Sequence, residues 1–300
     1  MLVALTGASG FIGSYTARTL HQAGHRVRAL VRKTSRRDHI EPVAAEFEVG
    51  EFDDPAVAER LVRDCDAVIH NAVSWFTSRP TDDENFEKNV VGTLRLLEAS
   101  RAAGVKQFMF VSSVAVYHEI LPGGRIDETH PTWPNHVYGA CKAAVEPLLK
   151  AYHFTYGMNT SAWRPAAVYG VDPKLERSQW FELIKDAKEG KTISTDRGGK
   201  ITHVQDVADA LTLAVGDDQV SGQLFNLVDG YMYWQVAAEL AKELSGSRAT
   251  IEDRTGEGPR NQIEKSKAVA FFERRGNSTA LRRGTQGVRD YVAQLLPLIR

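Results

Sequence analysis

The stretch Leu2-Val3-Ala4-Leu5-Thr6-Gly7-Ala8-Ser9-Gly10-Phe11-Ile12-Gly13 constrains this chain more than any other. An apolar run begins almost at the N-terminus and stops at Gly7. Small residues follow, and from Phe11 through Leu20 the apolar spacing becomes helical. Strand, glycine turn and helix together make an anion site, because turn amides and the positive end of the helix face outward. Gly7 permits the sharp turn, Gly10 leaves no Cβ in front of a pyrophosphate, and Gly13 lets helix and strand pack closely. The spacing G-x-x-G-x-x-G differs from the commoner G-x-G-x-x-G. On its own it also suits a tight turn that binds nothing.

Bulk properties narrow the class. The chain has 300 residues, room for one large domain or two unequal ones. A net charge of −1 sets up no field that would draw nucleic acid or an anionic membrane. Cys65 and Cys141 are far apart, which argues for free thiols in a reducing compartment and against a disulfide framework or a metal cluster. No apolar run reaches the roughly 20 residues that span a bilayer. Residues 2–5 are too short for the core of a signal peptide. The expectation is a soluble cytoplasmic protein without a metal.

Strands and helices alternate along the chain. Gly24 closes the first helix, and Arg26–Val31 reads as the second strand. Glu46–Gly50 is a third strand, Asp54-Pro55 opens a helix, and Ala67–Ala72 is a fourth strand ending in small residues. A helix starts at Asn89, and Phe108–Val111 is a fifth strand entering Ser112-Ser113. The pattern predicts an α/β, Rossmann-type doubly wound parallel sheet with a smaller C-terminal substrate-binding subdomain. Residues 1–165, with 201–228 returning, are assigned to the sheet domain, and 166–200 and 229–300 to the subdomain. Within the latter, 245–262 reads as a mobile loop and 281–300 as a helix packed on the domain's own surface.

The end of the second strand bears on the ligand. In such a sheet it lies beside the adenosine ribose, where an acidic residue binds the 2′-hydroxyl of NAD. Here Arg32 stands at that end, followed by Lys33, Arg36 and Arg37. A guanidinium suits a 2′-phosphate, which favours NADP(H) over NAD(H). Arg36 or Arg37 is a second candidate phosphate contact.

Two further features converge. Ser113 ends the fifth strand, where open sheets place their ligands. Tyr138-Gly139-Ala140-Cys141-Lys142 opens a helix and sets Tyr138 and Lys142 on one face. An ammonium beside a phenol lowers its pKa from about 10. Such a tyrosine exchanges a proton with a substrate oxygen while hydride moves at the adjacent carbon. Ser113 would hold the same oxygen, and Asn89 would anchor a water that relays the proton.

These segments resemble the short-chain dehydrogenase/reductase superfamily, specifically its extended branch, the NAD-dependent epimerase/dehydratase family. Thr6–Gly13 resembles the cofactor turn, His70-Asn71-Ala72 the fourth-strand end, Asn89–Thr93 the central helix and Val111–Tyr117 the serine segment. Tyr138–Lys142 is similar to the catalytic pair, Arg164–Gly170 to the sixth-strand segment, and His203–Ala208 to a segment that tethers the substrate domain. The resemblance covers roughly residues 2–230. It implies Ser113, Tyr138 and Lys142 as catalytic residues, with Lys142 also on the nicotinamide ribose, and dimers through paired helices. The candidate dinucleotide set is Gly7, Ser9, Gly10, Phe11, Ile12, Gly13, Arg32, Arg36, Glu51, Phe52, Asn71, Ala72, Lys142 and Pro165.

Departures from the family pattern weaken a nucleotide-sugar substrate. Ala167 stands where sugar-nucleotide enzymes often carry Asn, and the basic residue before His203 is displaced. Trp75, Trp133 and Trp180 are candidates for an apolar substrate wall. The leading expectation is an NAD(P)-dependent oxidoreductase acting at a carbinol or ketone carbon of a small molecule. The alternatives are a nucleotide-sugar or sugar epimerase or dehydratase with tightly held NAD, and a non-catalytic NAD(P)-binding sensor.

Overall fold

The structure, a computed structural model, describes residues 1–74, 81–253, 256, 258–259 and 261–300. Trp75 and Phe76 therefore lie outside the described residues. Fourteen strands are described: β1 (Leu2–Thr6), β2 (Arg26–Val31), β3 (Glu46–Val49), β4 (Ala67–His70), β5 (Gln107–Val111), β6 (Arg125–Ile126), β7 (Asn159–Pro165), β8 (Ala167–Tyr169), β9 (Thr192–Ser194), β10 (Gly198–His203), β11 (Gln223–Leu227), β12 (Gly230–Tyr233), β13 (Thr250–Glu252) and β14 (Gln262–Ile263). The α-helices are α1 (Phe11–Gln22), α2 (Pro55–Val62), α3 (Asp82–Phe86), α4 (Gly92–Ala102), α5 (Val137–Tyr156), α6 (Phe181–Lys188), α7 (Val204–Ala214), α8 (Trp234–Ser245), α9 (Ser266–Arg274) and α10 (Gly284–Leu295).

Seven strands form one parallel sheet in the order β11-β7-β5-β4-β1-β2-β3. The order reverses between β1 and β4, so consecutive crossovers leave on opposite faces and open a crevice beyond those strand ends. Register pairs Thr6 with His70 there. The glycine turn after β1 and the small residues after β4 are thereby neighbours. Burial explains the sequence pattern: β1, β4 and β5 are apolar except for Thr6, His70 and Gln107 at their ends, because helices cover both faces. One face packs against α1, α7 and α9 through residues such as Leu20, Leu211 and Phe271. The other packs against α2, α4 and α5 through Leu61, Leu97 and Val145.

The smaller lobe combines the sheet β12-β10-β8 with α6, α8 and α10, around Tyr169, Trp180, Ile184, Ala237 and Tyr291. Its boundaries differ from the sequence expectation in two places. The return to the large sheet begins with α7, since β10 belongs to the small sheet. Residues 266–281 also return: Ala268, Phe271, Phe272 and Leu281 pack into the large-sheet core, where Trp163 stacks on Phe225 with centroids 4.3 Å apart. The stretch 245–262 contains β13, which pairs with β9, and the start of β14. Helix α10 packs on the small lobe as expected. Among the described residues, no helix is long and apolar enough to cross a membrane.

Candidate active site

Gly7 adopts φ +68°, a left-handed conformation open to glycine. A Cβ on Gly13 would overlap the Gly7 carbonyl oxygen, so α1 can start this close to β1 only with glycine there. Gly10 N–H donates back to the Gly7 carbonyl at 3.0 Å. Helix α1 has no side-chain cap, which leaves its first-turn amides, from Phe11 to Gly13, without an intrahelical partner. A Cβ on Gly10 would meet only the Gly7 oxygen, at 3.2 Å, so the space above it is open. An uncapped amide cluster under open space fits a dinucleotide pyrophosphate.

The flanks of this turn are ordered by side chains. Thr6 Oγ1 accepts the N–H groups of Asn71 and Ala72 at 3.1 and 3.0 Å. His39 Nε2 donates to the Ser9 carbonyl at 3.2 Å. Phe52 is buried with its ring 5.0 Å from that of His70, while Glu51 is exposed. Pro165 closes β7 and is buried. Arg32 is exposed at the end of β2, where its N–H donates to Ser35 Oγ at 3.1 Å. Arg36 is held differently from the sequence expectation. Its guanidinium forks onto Asp38 at 2.7 and 2.9 Å, so its charge is already shared with a carboxylate two residues on.

Ser113 follows β5 in extended conformation, and its Oγ accepts Ala115 N–H at 3.1 Å to cap a short 3₁₀ turn. Helix α5 begins against that turn. His136 Nδ1 accepts Gly139 N–H at 2.9 Å, and a Cβ on Gly139 would overlap the Ala115 carbonyl. Gly139 thus sets how near Tyr138 comes to Ser113, a role hidden in the sequence between two candidate catalytic residues. Burial raises the Tyr138 pKa, and its hydrogen bond with Ser113 pulls it part of the way back.

Lys142 is 6% exposed. Its Nζ donates to the Val111 carbonyl at 2.7 Å and lies 4.4 Å from the Phe110 ring centroid. Burial pushes its pKa down to about 7, against the attraction of Cys141 and Glu146. The expectation that Lys142 lowers the Tyr138 phenol is not met in this arrangement. The ammonium is turned toward β5 and stands 5.9 Å from the Tyr138 ring centroid.

Asn89, the expected water anchor, is tied to the chain through both ends of its amide. It lies in a π-helical turn, Glu87–Val91, that precedes α4. Its Oδ1 accepts Ser74 N–H at 2.8 Å, and its Nδ2 donates to the carbonyls of Ser74 and Asn85 at 3.4 and 3.1 Å. Both amide hydrogens are used, so the side chain clamps the backbone after β4.

Ala72, Asn89, Tyr138 and Lys142 line a cavity of about 230 Å³ together with Ser74, Thr93, Phe110 and Cys141. Trp133 and Trp180 are not among its lining residues. Trp133 is 45% exposed against His130, and Trp180 is core of the small lobe, packed on Tyr169 and Tyr291. A tryptophan's bulk identifies neither role from sequence alone.

Behind the cavity runs a buried network that sequence reasoning missed. Glu146, one turn beyond Lys142, accepts Ser112 Oγ at 2.7 Å and Arg164 Nε at 2.8 Å. Arg164 also donates to Glu146 Oε2 at 2.5 Å and to the Tyr117 hydroxyl, which donates to Asn226 Oδ1 at 3.1 Å. The ends of β5 and β7 are thereby fixed to α5. Spacing places Glu146 on the helix face of Lys142, but no local signal pairs it with Arg164, 18 residues away.

Known proteins carry the same arrangement of elements. The chain is 33% identical over 244 residues to a UDP-glucose 4-epimerase of Mycolicibacterium smegmatis, covering 77% of this chain and 78% of that one. It is 29% identical over 231 residues, 75% and 67% of the two chains, to the 4-hydroxy-2-methyl-3-oxo-4-farnesyl-3,4-dihydroquinoline-1-oxide ketoreductase of Stigmatella aurantiaca. Among solved structures, a Thermus thermophilus UDP-glucose 4-epimerase complex with NAD matches at TM-score 0.77 and 26% identity over 98% of this chain and 99% of that one. The model of the family described as NAD dependent epimerase/dehydratase matches residues 3–227, and the chain belongs to that family of NAD-dependent, oxidoreductase-type enzymes.

Proposed function

We propose that the chain is a reductase that uses NADP(H) to reduce a ketone or aldehyde carbon of a small molecule, with Tyr138 as the proton donor. The observation that carries this reading is that Tyr138, hydrogen-bonded to Ser113, shares a cavity wall with Lys142 and with Ala72, against which Gly7 of the uncapped turn is packed. Residues 7–13 would hold the dinucleotide, which would supply the hydride when bound. Ser113 holds the substrate oxygen through its hydroxyl. Tyr138, a phenol whose pKa burial raises further, gives that oxygen its proton as charge develops on it. Lys142 lies on the same cavity wall and is assigned the nicotinamide ribose, as the family resemblance implies.

The choice of NADP(H) rests on Arg32, exposed at the end of β2 with no carboxylate at that position. Arg36, being paired with Asp38, contributes less. Small-molecule reduction is further supported by the ketoreductase relative and by Ala167. A second reading, transient oxidation with retained NAD, is favoured by the epimerase relatives. A cytoplasmic location suits two unpaired thiols, Cys65 and Cys141. Homodimerisation belongs to the same proposal through the family resemblance.

Titration of both dinucleotides against wild type and Arg32→Ala tests the reading. Tighter NADP(H) binding, lost selectively in the variant, and stoichiometric NADPH consumption during turnover are expected. Tighter NAD(H) binding, or turnover on retained cofactor with no net consumption, overturns it.

A further inference from the structure

The fourth strand ends in His70, a buried histidine that the proposed chemistry does not use. It is 1% exposed and ringed by Phe52, Phe108 and Phe110 at centroid distances of 5.0, 6.2 and 5.7 Å. Its Nδ1 lies 2.7 Å from Thr6 Oγ1 and its Nε2 lies 2.9 Å from Thr93 Oγ1. The neighbours decide where the protons are. Thr6 Oγ1 already accepts two backbone N–H groups, so its own hydrogen goes to His70 Nδ1. Thr93 Oγ1 spends its hydrogen on the Asn89 carbonyl at 2.7 Å, so it accepts from His70 Nε2–H. Only the neutral, Nε2-protonated imidazole satisfies both ends. Burial and the nearby Lys142 charge, which push the His70 pKa down to about 3, agree with a neutral ring.

We infer that His70 is a positioning residue: one imidazole ties the dinucleotide turn, through Thr6, to the wall of the catalytic cavity, through Thr93 and Asn89. The inference rests on reading residues 7–13 as the dinucleotide site and the Tyr138–Lys142 wall as the reaction site. The Thr6 end fixes the amides of Asn71 and Ala72, and Gly7 sits against them: a Cβ there would come within 3.0 Å of Ala72 N. The Thr93 end fixes the π-helical turn from which Asn89 clamps Ser74. Phe110 links the two functions again, because it stacks on His70 and its ring centroid also lies 4.4 Å from Lys142 Nζ. A ring placed only to fill the core would need neither polar end.

The two ring nitrogens can be tested separately. In His70→Asn the amide oxygen stands near the Nδ1 position and still accepts from Thr6, while the Thr93 contact is lost. In His70→Gln the amide nitrogen reaches the Nε2 position and still donates to Thr93, while the Thr6 hydroxyl loses its acceptor. Dinucleotide Kd by fluorescence titration and kcat at saturating cofactor are measured for both. For His70→Gln, Kd is expected to rise about tenfold with kcat within about twofold of wild type; for His70→Asn, kcat falls about tenfold with Kd within about twofold. Variants that lose both quantities in proportion, or neither, overturn the inference. Should either variant fail to fold, histidine ¹⁵N spectra of the wild type decide. The inference requires a ring protonated at Nε2 and unchanged from about pH 5 to about pH 8. An Nδ1-protonated ring, or one that titrates in that range, overturns it. Wild type that binds no dinucleotide would instead refute the functional reading on which it rests.

Discussion

Lys142 is held at a cost to the fold, and Lys142→Met makes the cost measurable. Burial lowers its pKa from 10.5 to about 7. At about 1.4 kcal/mol per tenfold change, keeping the ammonium inside costs roughly 5 kcal/mol wherever the folded protein is protonated. Methionine keeps the stem and removes the charge. It also strips the Val111 carbonyl of its donor, which costs about 1–3 kcal/mol. The net expectation is that Lys142→Met stabilises nucleotide-free protein by roughly 2–4 kcal/mol below pH 7 while abolishing turnover. The sign follows from the proton count. Between the folded pKa near 7 and the unfolded value of 10.5, the unfolded chain binds one more proton, so wild-type stability rises with pH. The advantage of Lys142→Met therefore shrinks, by roughly 3 kcal/mol between pH 6 and pH 9. Urea unfolding of both proteins across that range reads the difference directly. A gap that does not change with pH would show that Lys142 titrates normally, and would refute the picture of a desolvated lysine.

Two further substitutions probe how the site is built. Gly13→Ala puts a methyl group into the Gly7 carbonyl, so dinucleotide binding should be lost and stability should fall by about 1–3 kcal/mol; titration and thermal melting check both. Glu146→Ala leaves the 2%-exposed Arg164 guanidinium without its carboxylate, and urea unfolding should show a loss of roughly 3–5 kcal/mol.

The large sheet was legible because its signals are local. Alternating apolar runs and helical stretches announce parallel strands under two helix layers, and Gly7, Gly10 and Gly13 mark the turn within seven residues. Tyr138 and Lys142 fall on one helix face by spacing alone. What escaped depends on partners brought together by the fold. His70 meets Thr6 across two strands, and Arg164 meets Glu146 between a strand and a helix. An amphipathic helix at 266–274 reveals that it has an apolar face, but not that the face covers the large sheet. The π-helical turn that aims Asn89 leaves no mark in composition, because one extra residue per turn is a tertiary compromise. The pairing of Arg36 with Asp38 was in plain view two residues apart, and bears on how much of the basic loop is free for a phosphate.

Tyr138→Phe tests the central claim most directly, because it removes one oxygen from the proposed proton path and leaves the ring in place. Single-turnover reduction with bound NADPH should slow by about 10²- to 10⁴-fold, with dinucleotide Kd within about twofold of wild type. A variant that reduces substrate at the wild-type rate would contradict the assignment of Tyr138 as the proton donor.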